Sequence, residues 1–365
     1  MRHDGTGFGT GLRRFPRLST LISQLSQMNV YTDDDINRKA IQDKRVAVIG
    51  YGSQGRAQAA NLRDSGLDVI VGTREGPSRE RAQKEGFATL DIPRAVVQSD
   101  IVMMLIPDEA HAKVYKDEID ASLVRGAALG FAHGFSVHYG LVLPKEGVDV
   151  FLVAPLGPGA HLRELYLKGS GLPCQFAVGR DATGDCREIA LSYAHMIGCT
   201  RVGAFKTTFT EEAETDLFGE QAVLCGGLMQ LVTLAYETLT EAGYSPESAW
   251  FESLYQVRLL ADLVEKHGVH GMLERISQTA LYGALTRGPR IIGEEAKEAM
   301  RQVLKEIKSG RFAEEWTVEA ATGKERLHFL LNERAKHPIE DTTEEMRRLL
   351  GPEHGAQSPE TEGRG

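Results

Sequence analysis

Val46-Ala47-Val48-Ile49-Gly50-Tyr51-Gly52-Ser53-Gln54-Gly55 is the stretch that decides the fold. Four short apolar residues read as a buried strand. The G-x-G-x-x-G that follows runs straight into the helix-like segment Gln58 to Asp64. A lone glycine pattern is weak; a strand before it and a helix after it give it meaning. Gly50 permits a tight turn, Gly52 lets the backbone approach a pyrophosphate, and Gly55 allows the helix to pack closely on the strand. The helix N-terminus then stabilises the anion. Tyr51, Ser53 and Gln54 complete the loop, so all six residues are candidate dinucleotide-binding positions.

The same alternation continues outward from this loop. Val69 to Val71, Ile101 to Ile106, Ala127 to Phe131, Val148 to Val153 and Phe176 to Val178 repeat the strand signal between helical stretches. Short, uniformly apolar strands of this kind indicate a parallel sheet covered on both faces, a doubly wound Rossmann-type α/β domain. After Thr208 the strand signals stop. Glu211 to Ala242, Pro246 to His267 and Glu294 to Ser309 read as long helices, with apolar residues at helical spacing such as Leu254, Val257, Leu260, Ala261 and Val264. The expected organisation is an α/β domain over residues 28–208 and an all-helical domain over residues 209–350.

Composition bounds what such a chain does. The 365 residues suffice for about two domains. A net charge of −9 argues against a general binder of nucleic acid or of anionic membranes. Cys174, Cys186, Cys199 and Cys225 show no zinc spacing and read as reduced thiols, as expected in the cytoplasm. No apolar run approaches the roughly 18 residues of a membrane span. Residues 1–27 contain a single acid, Asp4, a weakly transit-like composition. An extension upstream of a start at Met28 is the preferred reading. Residues 351–365 are rich in Gly, Glu and Pro and are expected to be disordered.

The choice of dinucleotide depends on the segment after the second strand, Gly72-Thr73-Arg74-Glu75-Gly76-Pro77-Ser78-Arg79. Arg74, Ser78 and Arg79 offer charge and donors to a 2′-phosphate, because guanidinium matches phosphate geometrically. Glu75 pulls toward the ribose diol of NADH. The balance favours NADPH.

Two helical segments place oxygen-bearing side chains four residues apart: Asp216 with Glu220, and Glu252 with Gln256. Such pairs share one helix face. Three carboxylates converging on one cleft would suit Mg²⁺, which takes hard oxygen ligands. A solvated acidic face is the ordinary alternative. Against it, Leu217, Phe218, Ala222, Val223 and Leu224 surround Asp216 and Glu220, and buried acids need a partner.

Taken together, Gly50–Gly55, Pro107-Asp108-Glu109, Phe131-Ala132-His133-Gly134-Phe135, Ala154-Pro155, Gly157-Pro158-Gly159 and Glu214–Gln221 resemble class I ketol-acid reductoisomerase. So do Phe251-Glu252, Ile276-Ser277 and Gly288-Pro289-Arg290, and the likeness runs from about Met28 to Leu350. The resemblance implies a Rossmann domain, a knotted helical domain and a homodimer whose subunits complete each other's active sites. It implies NADPH and two Mg²⁺ ions, an alkyl migration in 2-acetolactate or 2-aceto-2-hydroxybutyrate, and reduction of the resulting 2-keto acid. By motif, Asp216 would bridge the metals, Glu220 would ligate one, and Glu252 of the partner subunit the other. His133 would lie beside metal-bound water and nicotinamide, Ser277 would hold the substrate carboxylate, and Asp108 and Gly159 would face the cofactor.

The chain departs from that pattern at three places. The family's Pro-Lys-Gly-Pro-Gly reads Pro155-Leu156-Gly157-Pro158-Gly159, its second acid on the Glu252 helix is Gln256, and acids near Ser277 become Gln278 and Leu281. Gln256 keeps a ligating oxygen but loses a charge and a proton acceptor. Leu156 removes a cation, a loss that typically costs about 3–4 kcal/mol of transition-state stabilisation. These losses fall on isomerisation more than on hydride transfer. The expectation is an NADPH-dependent reductase of a small 2-keto acid, a 3-hydroxy-2-keto acid or a related imine. Its rivals are a fully active ketol-acid reductoisomerase and a non-catalytic NADPH-binding paralogue.

Overall fold

The computed structural model describes residues 29–351. The expectations for residues 1–27 and for the tail beyond Gly351 lie outside these. Nine strands form one sheet in the order β1-β9-β8-β7-β6-β5-β2-β3-β4. They are β1 (Val30–Tyr31), β2 (Arg45–Ile49), β3 (Asp68–Gly72), β4 (Ala88–Leu90), β5 (Ile101–Met104), β6 (Ala128–Phe131), β7 (Asp149–Pro155), β8 (Cys174–Arg180) and β9 (Ala204–Lys206). The run β4-β3-β2-β5-β6-β7 is parallel throughout. Taken in chain order it is the 3-2-1-4-5-6 arrangement of a dinucleotide-binding fold, with the order reversing between β2 and β5.

Strand periodicity divides the core into two layers. Val46, Val48, Val69, Val71, Ile101 and Met103 pack into one cluster. The alternate residues Ala47, Ile49, Ile70, Val102 and Met104 pack into the other. Successive side chains point to opposite faces of a strand, so a sheet buried on both faces needs the continuous apolar runs seen here.

The sequence reading needs correcting at the far edge of this sheet. Phe176 to Val178 belongs to β8, which runs antiparallel to β7 rather than extending the parallel set. Strands β1, β4 and β9 carry no clear sequence signal; they are two or three residues long. Their pairing comes from neighbours already in place.

Beyond Thr208, whose hydroxyl caps the next helix by accepting from Glu211 N–H, the described chain is helical. The expected single helix 211–242 is broken. Phe209–Gly219 passes into a π-helical turn, Glu220–Leu224, before Gly227–Glu241 resumes. Glu220 O accepts from both Cys225 and Gly226 N–H at 2.9 Å. A Cβ at position 226 would lie 2.1 Å from Gln221 O, so this wide turn requires glycine there. The second expected helix is broken likewise: Pro246–Trp250, a π-helical turn Phe251–Tyr255, then Gln256–Leu273 with non-helical backbone at Gly268.

Phe209–Glu241 also contains an 18-residue window that is apolar enough, by length and composition alone, to cross a membrane, which corrects the reading of no such run. Little of its most apolar part is buried within this chain. Leu224, Met229, Leu231 and Leu234 are exposed, as are Leu259, Leu260, Tyr282 and Leu285 on later helices.

Candidate active site

The crevice forms where the strand order reverses. β2 ends at the glycine loop and β5 ends at Leu105-Ile106-Pro107, and both loops line the same two clefts. Gly50 has φ +97°, and a Cβ there would lie 2.7 Å from Leu105 O. Only glycine meets both demands.

One cleft, of about 510 Å³, is lined by Gly50, Tyr51, Gly52, Gly72, Arg74, Glu75, Ser78 and Arg81. The second, of about 340 Å³, takes in Gly52, Ser53, Gln54, Asp108 and His133. Gly55 and Gly159 line neither. Gly159 packs where its Cβ would come within 2.2 Å of Ser53 O, so it seats the Gly159–Leu167 helix directly against the loop. Gln54 Nε2 donates to Gly157 O at 2.9 Å and joins the two glycine segments. Together these clefts have the size and backbone donors for a dinucleotide.

Arg79 stands apart from this arrangement. Its side chain is largely buried and lies against Glu75 at 2.5 Å and Asp91 at 3.2 Å. The cleft meets Arg81 instead. On the helix Pro77–Lys84 a residue three after Ser78 shares its face, whereas Arg79 is turned about 100° away. Helical periodicity held the signal for Arg81 in the sequence.

A larger cleft of about 910 Å³ opens beside the second one. It holds Asp108, His133, Asp216 and Glu220, walled by Phe312, Trp316, Leu327 and Leu330. His133 Nδ1 lies 2.7 Å from Asp108 Oδ2, and its Nε2 lies 3.4 Å from Asp216 Oδ2. The imidazole therefore spans the dinucleotide side and the carboxylate side. Burial alone would lower its pKa, but the hydrogen bond and charge of Asp108, with Glu212 and Asp216 nearby, raise it to about 9. Burial would conversely raise Asp108, and the hydrogen bond and charge of His133 hold it below the usual carboxylate range.

Glu212 is the site carboxylate that sequence reading missed. It is buried, accepts a 2.6 Å hydrogen bond from Gly134 N–H, and sits one turn before Asp216. The four-residue spacing that pairs Asp216 with Glu220 reaches back to it as well. Burial pushes its pKa up to about 7, against the opposing pull of His133 and the Gly134 N–H. Burial also raises Asp216 and Glu220, and Glu220 feels the charge of Asp216.

This donor set fits a divalent cation with hard-oxygen preference. Two desolvated carboxylates face one cleft, and the buried His133 Nε2 has no hydrogen-bond partner. Mg²⁺ needs only one or two protein carboxylates when waters and substrate complete its shell. Among the described residues, no single group of three His, Cys, Asp or Glu side chains is placed to hold a metal alone.

Glu252 and Ser277 are not brought to this cleft within one chain. Both are exposed, Glu252 in the π-helical turn Phe251–Tyr255 and Ser277 as the cap of the helix Gln278–Ile291, accepting from Ala280 N–H. Gln256 is exposed with them. Of the three carboxylates expected to converge, the chain brings together Asp216 and Glu220. Leu156 is half exposed and lines none of the three clefts.

Comparison with known proteins agrees with this architecture. Residues 40–203 match a family model described as acetohydroxy acid isomeroreductase, NADPH-binding domain, and residues 209–351 match ketol-acid reductoisomerase, C-terminal domain. The chain is 52% identical over 323 residues to a ketol-acid reductoisomerase (NADP(+)) of Methanopyrus kandleri, covering 88% of this chain and 98% of that one. It is 48% identical over 325 residues to the protein of the same name from Methanocaldococcus jannaschii, covering 89% and 98%. Among solved structures it resembles an NADH-preferring ketol-acid reductoisomerase from an uncultured archean, with TM-score 0.86, 41% identity and coverage of 88% and 99%.

Proposed function

Because this chain belongs to the ketol-acid reductoisomerase family, an NADP-dependent oxidoreductase family, we propose that it reduces a small 2-keto or 3-hydroxy-2-keto acid with NADPH, assisted by Mg²⁺. The observation that carries this reading is the line Asp108–His133–Asp216, which joins the glycine-loop cleft to the carboxylate cleft. A hydride donor in the first and a keto acid in the second would meet at His133. Mg²⁺ held by Asp216 and Glu220 would polarise the substrate's oxygens. Asp108, with Oδ2 2.7 Å from His133 Nδ1, fixes the imidazole so that its Nε2 faces the carboxylate cleft, where it would pass a proton to the oxygen that gains charge during reduction. Phe312, Trp316, Leu327 and Leu330 give the cleft an apolar wall on one side.

A homodimer supplies what one chain lacks. The exposed apolar helix faces at Leu231, Leu234, Leu259 and Leu260 call for cover, and a second copy provides it without a membrane. Such pairing would bring Glu252 and Ser277 of the partner subunit to the metal and the substrate carboxylate. A cytoplasmic, small-molecule enzyme with no nucleic-acid role fits this reading.

Gln256 of the partner subunit would weaken the alkyl migration selectively, by withholding charge from the step that shifts it between neighbouring oxygens, whereas Leu156, outside all three clefts, carries no such role. One observation favours the second reading, a complete ketol-acid reductoisomerase of valine and isoleucine synthesis: 52% identity spanning 98% of a relative of that name. The test supplies 2-acetolactate and 3-hydroxy-3-methyl-2-ketobutyrate separately, with Mg²⁺, and follows NADPH oxidation. The first reading expects the keto acid to turn over at least about a hundredfold faster. Equal rates establish the second.

A further inference from the structure

The geometry points to a dinucleotide cleft whose 2′-phosphate recess is neutralised in advance by carboxylates, with Glu118 the residue that sets cofactor preference. This inference rests on the dinucleotide reading of the 510 Å³ cleft. Two arginines, Arg74 and Arg81, line the recess, and a third, Arg79, is turned away from it. Arg74 gives two hydrogen bonds to Glu118 Oε1, at 2.7 Å from Nη2 and 3.2 Å from Nε. Arg79 is shared between Glu75 and Asp91. Glu85 lies within the field of Arg81, and its carboxylate is hydrogen-bonded to Tyr51 and Arg56.

Glu118 is unusual among these because it comes from outside the phosphate-binding turn. It lies in a π-helical turn, Tyr115–Ile119, directly after the helix Asp108–Val114, whose Ala110 and Val114 line the same cleft. The cleft wall thus reaches across to Arg74 through its next turn. The Glu118 side chain is 23% exposed and Arg74 is 61% exposed, so the pair is open to competition from a ligand.

A 2′-phosphate entering this recess must take Arg74 from Glu118 and approach Glu75, which lines the cleft with a solvent-facing carboxylate. NADH faces no such contest. Its ribose hydroxyls can donate to Glu75 in the manner of acidic residues at this position in dinucleotide folds. The consequence is narrow discrimination: the cleft accepts both dinucleotides, and the charge on Glu118 restrains its preference for the phosphorylated one.

The test measures binding rather than turnover, by calorimetry on the full chain with 2′,5′-ADP and with ADP as probes at fixed ionic strength. Glu118→Gln is expected to tighten 2′,5′-ADP about three- to fivefold, the range of a partly exposed ion pair, and to leave ADP unchanged. In an Arg74→Met background the same change is expected to do nothing. Retained ADP binding certifies the fold of each variant. Overturning results are no change for 2′,5′-ADP in Glu118→Gln, an equal change for both probes, or the full effect persisting without Arg74. Failure of both probes to bind the unaltered protein instead removes the dinucleotide reading itself, and this inference with it.

Discussion

Lys324 Nζ lies 2.6 Å from Glu109 Oε1, a contact between residues 215 apart in sequence. Glu109 follows Asp108 at the start of the helix Asp108–Val114, and Lys324 caps the helix Glu325–Ala335 that carries Leu327 and Leu330. The ion pair therefore ties the α/β part of the chain to the apolar wall of the 910 Å³ cleft. Lys324 has φ +60°, the one non-glycine residue with positive φ among those described, so its backbone is held where few side chains sit.

Lys324→Met is expected to loosen that wall with little loss of global stability, because a partly exposed pair contributes about 1 kcal/mol or less. The measurable result is a KM for the keto acid raised about three- to tenfold with kcat within about twofold. A thermal melt close to that of the unaltered protein accompanies it. Unchanged KM would show that the wall holds its place without this contact.

The His133–Asp108 pair predicts a pH window for the metal-free protein. His133 has a raised pKa of about 9, so its contribution is complete below the ordinary value of about 6.5 and is lost as pH rises through 9. Asp108 is depressed, so its contribution is present above the ordinary carboxylate range and is lost as pH falls through its lowered pKa. Asp108→Asn should return the His133 titration toward about 6.5, read directly from imidazole NMR shifts.

Glu212 has the sign opposite to that of Asp108. Its pKa is raised to about 7, so the folded protein holds a proton that the unfolded chain releases near 4.5. Stability falls as pH rises through that interval. Glu212→Gln should therefore lower the thermal midpoint less, or raise it, at pH 8 than at pH 5, measured by metal-free denaturation. A uniform loss at both values would mean that the Gly134 contact matters and the charge does not.

Mg²⁺ should raise the thermal midpoint of the unaltered protein, because the proposed site offers it carboxylates that the fold has already desolvated. Asp216→Asn is expected to abolish most of that shift. Glu220→Gln should weaken it about tenfold or more in Mg²⁺ concentration, read as displacement of the midpoint-versus-metal curve.

The proposed sharing of each site between two subunits predicts a complementation experiment. Asp216→Asn and Glu252→Gln subunits are each expected to be nearly inactive alone. When they are mixed, a heterodimer holds one doubly altered site and one intact site, so about a quarter of full activity returns. No recovery would place Glu252 in the same subunit's site or outside the site altogether.

The sequence alone determined the nucleotide loop, the parallel sheet and the helical second half. Each of these rests on a local period: apolar runs for strands buried on both faces, and apolar spacing for helices. It also determined that Asp216 and Glu220 face one way, since a helix repeats within four residues. The same arithmetic already contained Glu212 and Arg81. What only the tertiary structure decided is which charges meet. Arg79 turns to Glu75 and Asp91, Arg74 is held by Glu118 from another element, and Lys324 finds Glu109 across the chain. Leu156 lies outside the three clefts for the same reason. Local periodicity fixes the direction of a side chain from its own element; its partner depends on how distant elements pack.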